Sequence, residues 1–243
     1  MGDRSAWVSW GFRLALFSVV IAVIAVLGLR LGIMPLPIAL FAGLGGGFIV
    51  GVIAILLSIV GLVITLTSDK SGRGIAVAAI FLSLAIVAPV GAAIINGSSV
   101  PPIHDITTDL TDVPVFVAVR AHRTPAHNSL DRSSPDNLAE LQQAAYPDIQ
   151  PILLDRHPGA AFEDAVTAAQ ALGWEIVSVA VEEGRIEATD TTVLMGFKDD
   201  IVIRVRDENG AALIDVRSVS RVGESDLGAN AARIRAFRDE LKG

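Results

Sequence analysis

The sequence predicts an α+β protein in two parts: three transmembrane helices, then a two-layer extracytoplasmic domain with a four-stranded antiparallel sheet packed by helices. The first observation is composition. Residues 1–99 carry five basic and two acidic groups, whereas residues 100–243 carry 14 basic and 24 acidic groups, in a chain of formal charge −7. Long apolar runs occur only in the first part, and an alternating strand pattern only in the second. This division excludes a single soluble domain and a disordered chain, and it places the boundary between residues 96 and 97.

Three apolar runs are each long enough to cross the hydrocarbon core of a bilayer, which takes about 20 helical residues. They predict transmembrane helices at about residues 12–31, 37–66 and 74–95. Trp7 and Trp10 precede the first run and are expected at the membrane interface. No ionisable residue lies at mid-membrane depth, so we set transporters and proton pathways aside.

Basic residues near the helix ends predict the orientation. Arg4 and Arg13 lie at the start of the first helix, and Lys70 and Arg73 lie in the second loop, whereas the first loop carries only Arg30. The positive-inside rule therefore places the N-terminus in the cytoplasm. Three crossings then place the C-terminal domain outside.

The second apolar run contains a stripe of small residues. Gly43, Gly47 and Gly51 recur every fourth position, so they share one helix face and permit close approach of another helix. Packing against the first and third helices is the favoured interpretation, and a homo-oligomer formed through the stripe is the alternative. The cluster Gly45-Gly46-Gly47 leaves open whether the run is one helix or a broken one.

The second part predicts a helix, four strands and a further helix. Apolar spacing indicates helices over residues 160–172 and 226–241, the latter capped by Ser225. A shorter helix is predicted over residues 135–145, with Ser134 as its cap. Two hairpins lie between the long helices, the second around Asn209-Gly210, a pair that suits a type I′ turn.

A two-residue turn at Asn209-Gly210 fixes the register of the second hairpin. Ile203 then faces Val216 on the apolar side, and Arg204 faces Asp215 on the polar side. Asp200 is placed diagonally to both Arg217 and Arg221.

The C-terminal stretch resembles a known family. Gly196-Phe197-Lys198-Asp199-Asp200, the run from Asp215 to Asn230, and Arg233 are similar to the signature of domain-of-unknown-function family 1499. That signature is Phe-x-Asp-Asp followed by R-S-x-S-R-x-G-x-S-D-x-G-x-N-x-x-R. The segment 101–109 also resembles the opening of the alphaproteobacterial members, although the Cys-containing opening of many relatives is missing here.

The resemblance covers roughly residues 100–243 and implies a bacterial envelope protein or a plastid-membrane protein with no agreed activity. Together with the three predicted spans and the predicted orientation, it leads us to expect a multi-pass protein of the bacterial inner membrane with a periplasmic domain.

The candidate site is the polar face of the second hairpin. Six charged residues form it, and we name it the arginine face: Asp200, Arg204, Arg206, Asp215, Arg217 and Arg221. A cross-strand ion-pair ladder is the favoured interpretation because it needs no ligand. The alternative is an anion site for a lipid headgroup phosphate or a carboxylate, since guanidinium groups suit both.

Catalytic and metal-binding patterns are weak. Asp199 and Asp200 are adjacent in a strand and point to opposite faces. Ser218 and Ser220 point toward the helix-covered face without a nucleophile elbow. The four histidines fall in loops without metal-ligand spacing, and cysteine is absent. We therefore predict no cofactor and no metal.

These patterns favour a non-enzymatic binding or scaffold domain at the periplasmic membrane surface. The alternatives are an enzyme that modifies envelope lipid or polymer, using Asp200, Arg217 or Arg221, and an accessory subunit of a membrane complex. The expected partners are the lipid bilayer and an anionic lipid or an envelope protein. Nucleic acid is not expected, because the acidic domain would repel phosphate.

Overall fold

A computed structural model of the chain describes residues 3–132 and 135–243. The chain divides into two compact units, Met1–Ile95 and Asn96–Gly243. Each unit has a hydrophobic cluster of its own.

The first unit consists of long apolar helices. Helix α1 spans Ala6–Arg30, and α3 spans Arg73–Ser98. The second helix begins with a π-helical stretch, Ile38–Gly45, and continues as α2, Gly46–Thr67. All three are long enough and apolar enough to cross a membrane, as predicted.

Helix α1 begins six residues before the predicted span. Trp7 and Trp10 therefore lie inside the helix rather than before it, and the Arg13 guanidinium lies 5.3 Å from the Trp10 ring centroid. Hydropathy marks only the apolar part of a helix, whereas backbone hydrogen bonding continues through the more polar residues that precede it.

The small-residue stripe faces neighbouring helices of the same unit. Gly43 contacts Ala25 of α1, and a Cβ at Gly47 would lie 3.2 Å from the Ser18 carbonyl oxygen. The Ser18 hydroxyl donates a 2.8 Å hydrogen bond to the Gly47 carbonyl oxygen. At Gly51 the neighbours include Val87 of α3. The glycine cluster does not break the helix, because Gly45 and Gly46 both keep right-handed helical angles.

The second unit is an antiparallel sheet of six strands, not four. In chain order they are β1 Asp105–Thr107, β2 Ile152–Leu154, β3 Glu175–Ala180, β4 Arg185–Thr191, β5 Lys198–Glu208 and β6 Ala211–Ser220. The spatial order is β1-β6-β5-β4-β3, and β2 also pairs with β6. The two additional strands are three residues long, too short for an alternating pattern to reveal them.

The predicted register of the β5–β6 hairpin is confirmed. Ile203 pairs with Val216, and Arg204 pairs with Asp215. Asn209 and Gly210 form the turn with φ of +57° and +90°, the left-handed angles that a type I′ turn requires.

In the part of the domain that the structure describes, three α-helices accompany the sheet: α4 Leu138–Ala145, α5 Pro158–Ala171 and α6 Ala229–Lys242. The predicted cap of α4, Ser134, lies outside the described residues. Helix α6 begins three residues later than predicted, and Ser225 does not cap it. Asp226 takes that role, since its carboxylate accepts hydrogen bonds from the backbone N–H groups of Gly228 and Asn230.

The sheet is covered on both faces, whereas a two-layer domain was predicted. Helices α5 and α6 cover one face, where Trp174 stacks on Phe237 with ring centroids 5.6 Å apart. On the other face, Phe116, Val119 and Leu130 pack against strand residues. These three belong to residues 108–132, which are irregular apart from a 3₁₀ turn at Ala118–His122. We name residues 108–132 the covering segment.

Candidate functional site

The arginine face lies on the side of the sheet beneath the covering segment. Asp200 and Asp215 have no solvent exposure, and Arg217 and Arg221 are buried. Arg204 and Arg206 remain partly exposed. The six predicted residues fall into three ion-pair clusters rather than one continuous ladder.

Asp200 centres the first cluster. Its carboxylate accepts hydrogen bonds from Arg221 (Nη2 to Oδ1, 2.7 Å), from Arg123 (Nη1 to Oδ2, 2.5 Å) and from the Thr189 hydroxyl at 2.9 Å. The Nε of Arg221 donates a further bond at 3.0 Å. Two guanidinium groups thus share one carboxylate, and four donors occupy its oxygens.

Arg217 centres the second cluster. It donates to Asp105 of β1 (Nη2 to Oδ2, 2.7 Å), and the same carboxylate accepts from Arg132 at 2.7 Å. Arg217 also donates to the carbonyl oxygens of Pro114 and Leu130, at 3.1 Å and 2.6 Å. The arginine therefore fastens β1 and both ends of the covering segment to β6.

Asp215 centres the third cluster. Its Oδ2 accepts from Arg204 at 2.9 Å and from Arg206 at 2.7 Å. Asp109 and Asp112 of the covering segment add their carboxylates to the same two arginines. Here three carboxylates meet two guanidinium groups.

The predicted pairs Arg204–Asp215 and Asp200–Arg221 are formed, but the predicted diagonal between Asp200 and Arg217 is not. Arg217 turns instead to Asp105, because β1 pairs with the outer edge of β6 and places Asp105 opposite Val219.

Sequence reasoning missed the five partners that the first strand and the covering segment supply: Asp105, Asp109, Asp112, Arg123 and Arg132. The sequence did contain one signal of these partners. The predicted face holds four arginines but only two aspartates, so further carboxylates had to come from another part of the chain.

Three groups in or beside the first cluster have a lowered pKa, for reasons of burial and charge. Burial raises the pKa of Asp200, but hydrogen bonds from Arg221 and Thr189 and the charges of the arginines hold it below its ordinary value. Burial lowers the pKa of Arg123 despite the opposing effect of Asp200. Burial, then the charges of Arg123 and Arg221, lower the pKa of His127.

An open pocket of about 350 Å³ lies in the covering segment beside the first cluster. Its lining includes Arg120, Arg123, His127, Asn128 and Asp131. Asn128 fixes this wall to the end of β6, because its side-chain amide donates to the carbonyl oxygens of Ser220 and Gly223. Among the lining side chains, two carry positive charge and one carries negative charge.

A separate polar cluster joins α6 to the helix-covered face of the sheet. Arg233 donates to Asp199 at 2.6 Å, so the adjacent Asp199 and Asp200 serve opposite faces, as predicted. Ser218 donates to the Asn230 side-chain oxygen, and Ser220 accepts from the Asn230 side-chain nitrogen. Within residues 3–132 and 135–243, no three His, Asp or Glu side chains form a group suited to a metal ion.

A family model described as a protein of unknown function (DUF1499) matches residues 105–241. The chain belongs to this family. The DUF1499 match begins at Asp105, the carboxylate that Arg217 binds, and it includes all six strands and α6 except its last residue. No curated protein sequence matches the chain.

The polar residues of the DUF1499 signature make internal bonds in this structure. Arg217 and Arg221 join the sheet to the covering segment, and Asn230 and Arg233 join it to α6. These bonds give the signature residues a structural role on both faces of the sheet.

Proposed function

We propose that this DUF1499 protein is a multi-pass protein of the bacterial inner membrane whose periplasmic domain binds an anionic group without catalysing a reaction. The membrane assignment is supported by three helices of sufficient length and apolarity. The orientation is supported by the basic residues at the start of α1 and between α2 and α3.

The observation that carries the binding proposal is the charge beside the pocket. Arg123 and Arg221 share the single carboxylate of Asp200, which leaves one positive charge uncompensated within this group. Arg120 adds a second positive group to the pocket wall, and Asp131 supplies one opposing carboxylate. Guanidinium groups at the rim of a concave site favour phosphate and carboxylate ligands.

A binding role is supported over acid–base chemistry by the state of Asp200. A carboxylate offers about four lone-pair directions, and four donated hydrogen bonds occupy those of Asp200. Arg217 likewise donates four hydrogen bonds, two to Asp105 and two to carbonyl oxygens. An enzyme that used either residue would have to break buried bonds first.

Native mass spectrometry of the full-length protein, gently extracted from its own membrane, tests the proposal. We expect a discrete added mass on the wild-type protein. Arg120→Gln should weaken retention of that mass by about tenfold, equivalent to about 1.4 kcal/mol, because one cationic group of the pocket is removed. The matched control is Arg156→Gln, an exposed arginine that pairs with Asp164 away from the pocket.

Three results would count against this proposal. A bare protomer, or a ligand held equally by Arg120→Gln and the control, would remove the pocket as the site. Conversion of the bound molecule to a product of different mass would establish the enzyme alternative.

A further inference from the structure

The chain enters the domain at one end of the sheet, which also carries two loops. Strand β4 ends where β5 begins, with Thr191 paired to Lys198, and β6 ends beside the start of β5, with Ser220 paired to Asp199. Strand β1 begins at this same end, since Asp105 pairs with Val219. The chain that follows α3, the loop 192–197 and the loop 221–228 therefore share one end of the sheet, which we name the tether end.

Hydrogen bonds fasten the incoming chain to the tether end. The backbone N–H of Ser220 donates to the His104 carbonyl oxygen at 2.9 Å, and that of Asp226 donates to the Ile103 carbonyl oxygen at 3.0 Å. Only four residues lie between Ser98, the last residue of α3, and Ile103. The five Cα–Cα steps from Ser98 to Ile103 span at most about 17 Å when extended, so the connection between α3 and the domain is short.

Large apolar side chains are exposed at the tether end. Val193 is 91% exposed, Leu194 is 64% exposed and Leu227 is 48% exposed. The loop that carries the first two is held in shape, because the Thr192 N–H donates to the Phe197 carbonyl oxygen at 2.8 Å and the Phe197 N–H donates to the Thr192 hydroxyl at 2.9 Å. The loop thus presents these side chains from a fixed turn.

Leu227 adds backbone strain to exposure. Its φ is +55°, in the left-handed region that a bulky side chain rarely adopts. Gly or Asn would occupy this position with less strain. The Leu227 side chain packs on the incoming chain, since a Cβ at Gly97 would lie 2.7 Å from Leu227 Cδ2.

Charge distinguishes the loop 192–197 from the exposed apolar residue at the opposite end of the sheet. The loop 192–197 has no charged residue and is followed by the exposed Lys198, although Glu224 is exposed on the neighbouring loop. At the opposite end, Val181 is 69% exposed but is followed by Glu182 and Glu183. An apolar tip with an adjacent lysine suits an anionic lipid surface, whereas an apolar residue beside two glutamates does not.

We propose that the tether end is a lipid-contacting surface, with Val193 and Leu194 inserted into the interfacial region of the bilayer and Lys198 at the headgroups. This inference rests on the proposed membrane insertion of α3 and is independent of the pocket. The domain is then held in one orientation against the lipid instead of tumbling on its tether.

Single-cysteine spin labelling of the full-length protein in nanodiscs that contain anionic lipid tests the inference, and the chain has no native cysteine to remove. The test position is Val193→Cys. The matched control is Val181→Cys, an exposed valine at the opposite end, and Leu84→Cys in the middle of α3 reports membrane insertion. We expect residue 193 to gain oxygen accessibility and lose accessibility to a water-soluble nickel chelate, relative to residue 181.

Each other result overturns the inference in a recognisable way. Equal nickel accessibility at residues 193 and 181, with residue 84 shielded, removes the lipid contact while membrane insertion stands. Shielding of residue 193 from both reagents indicates a protein partner or a second copy instead of lipid. Nickel accessibility at residue 84 removes membrane insertion itself.

A second variant tests the chemistry of the contact. Leu194→Asp, introduced beside the label at residue 193, should raise nickel accessibility toward the value at residue 181, because a carboxylate is expelled from the acyl region. Unchanged lipid exposure in this variant would contradict insertion through the loop 192–197.

Discussion

Asp200 joins three elements of the domain through one buried carboxylate. It lies on β5, and its donors come from β4, from the end of β6 and from the covering segment. The guanidinium groups of Arg123 and Arg221 are largely desolvated. They therefore depend on the Asp200 carboxylate to balance their positive charge. Glu187 plays a comparable part on β4, where it accepts hydrogen bonds from the backbone N–H groups of Val117, Ala118 and Val119.

Asp200→Asn should destabilise the domain by about 3–5 kcal/mol, because the substitution leaves two buried cations with no counter-charge in their cluster. Glu208→Gln, on the exposed end of the same strand, should change stability by no more than about 0.5 kcal/mol. The stability of both variants is measured by urea unfolding of the full-length protein in detergent, with hydrogen exchange of the β5 and β6 amides as the probe of the domain. Equal stability of the two variants would show that the Asp200 cluster is not structural.

The contribution of Asp200 should also depend on pH. Its pKa in the folded protein is lowered, so the stabilisation is present above the ordinary aspartate pKa of about 3.9 and is lost as the pH falls below it. The stability difference between the wild type and Asp200→Asn should therefore be constant from pH 7 to about pH 5 and shrink below about pH 4. A difference that stays constant down to pH 2 would contradict a charged Asp200 as its source.

At the scale of elements, the glycines of the second helix determine how closely it packs. Gly47 and Gly51 bring the backbone of the second helix against Ser18 of α1. A side chain at either position would displace its neighbours. Gly46 lies next to Gly47 in sequence, yet nothing lies within 4 Å of a Cβ placed there. The two positions form a matched pair for mutation.

Gly47→Leu should destabilise the helical unit by about 1–3 kcal/mol through overpacking against α1. Gly46→Leu should have little effect, because its side chain meets open space. Thermal unfolding of both full-length variants in the same detergent measures the difference. A loss equal in both would assign the effect to helix propensity rather than to close packing.

At the scale of the whole molecule, the two parts differ in charge and in apolar content. Four of the five basic residues of the first part lie near the start of α1 or from the second loop to the first residue of α3: Arg4, Arg13, Lys70 and Arg73. The acidic groups concentrate in the domain. The positive-inside rule therefore predicts one orientation for the whole chain, with the N-terminus in the cytoplasm.

Cysteine labelling tests that orientation directly. In spheroplasts, a membrane-impermeant maleimide should label Lys242→Cys at the exposed C-terminal end, but should label Asp69→Cys in the second loop only after permeabilisation. The reversed pattern would establish the inverted topology, with the domain in the cytoplasm.

Local signals in the sequence determined the three apolar helices, the register of the β5–β6 hairpin and the family. Apolar length indicated three helices capable of crossing a membrane, and Asn209-Gly210 determined the register that pairs Arg204 with Asp215. A signature spread over β5, β6 and α6 indicated the family. These features could be predicted because each depends on residues that are near one another in the chain or joined by a tight turn.

Only the tertiary structure decided which groups partner the arginine face. Asp105 and Arg123 lie in a stretch with no periodicity, and they reach Arg217 and Asp200 across 112 and 77 residues of sequence. The two three-residue strands gain their stability from pairing with β6, not from their own propensity. The same long-range packing converted a predicted open face into a buried one, because an irregular segment covers a sheet by side-chain contacts that leave no repeating pattern in the sequence.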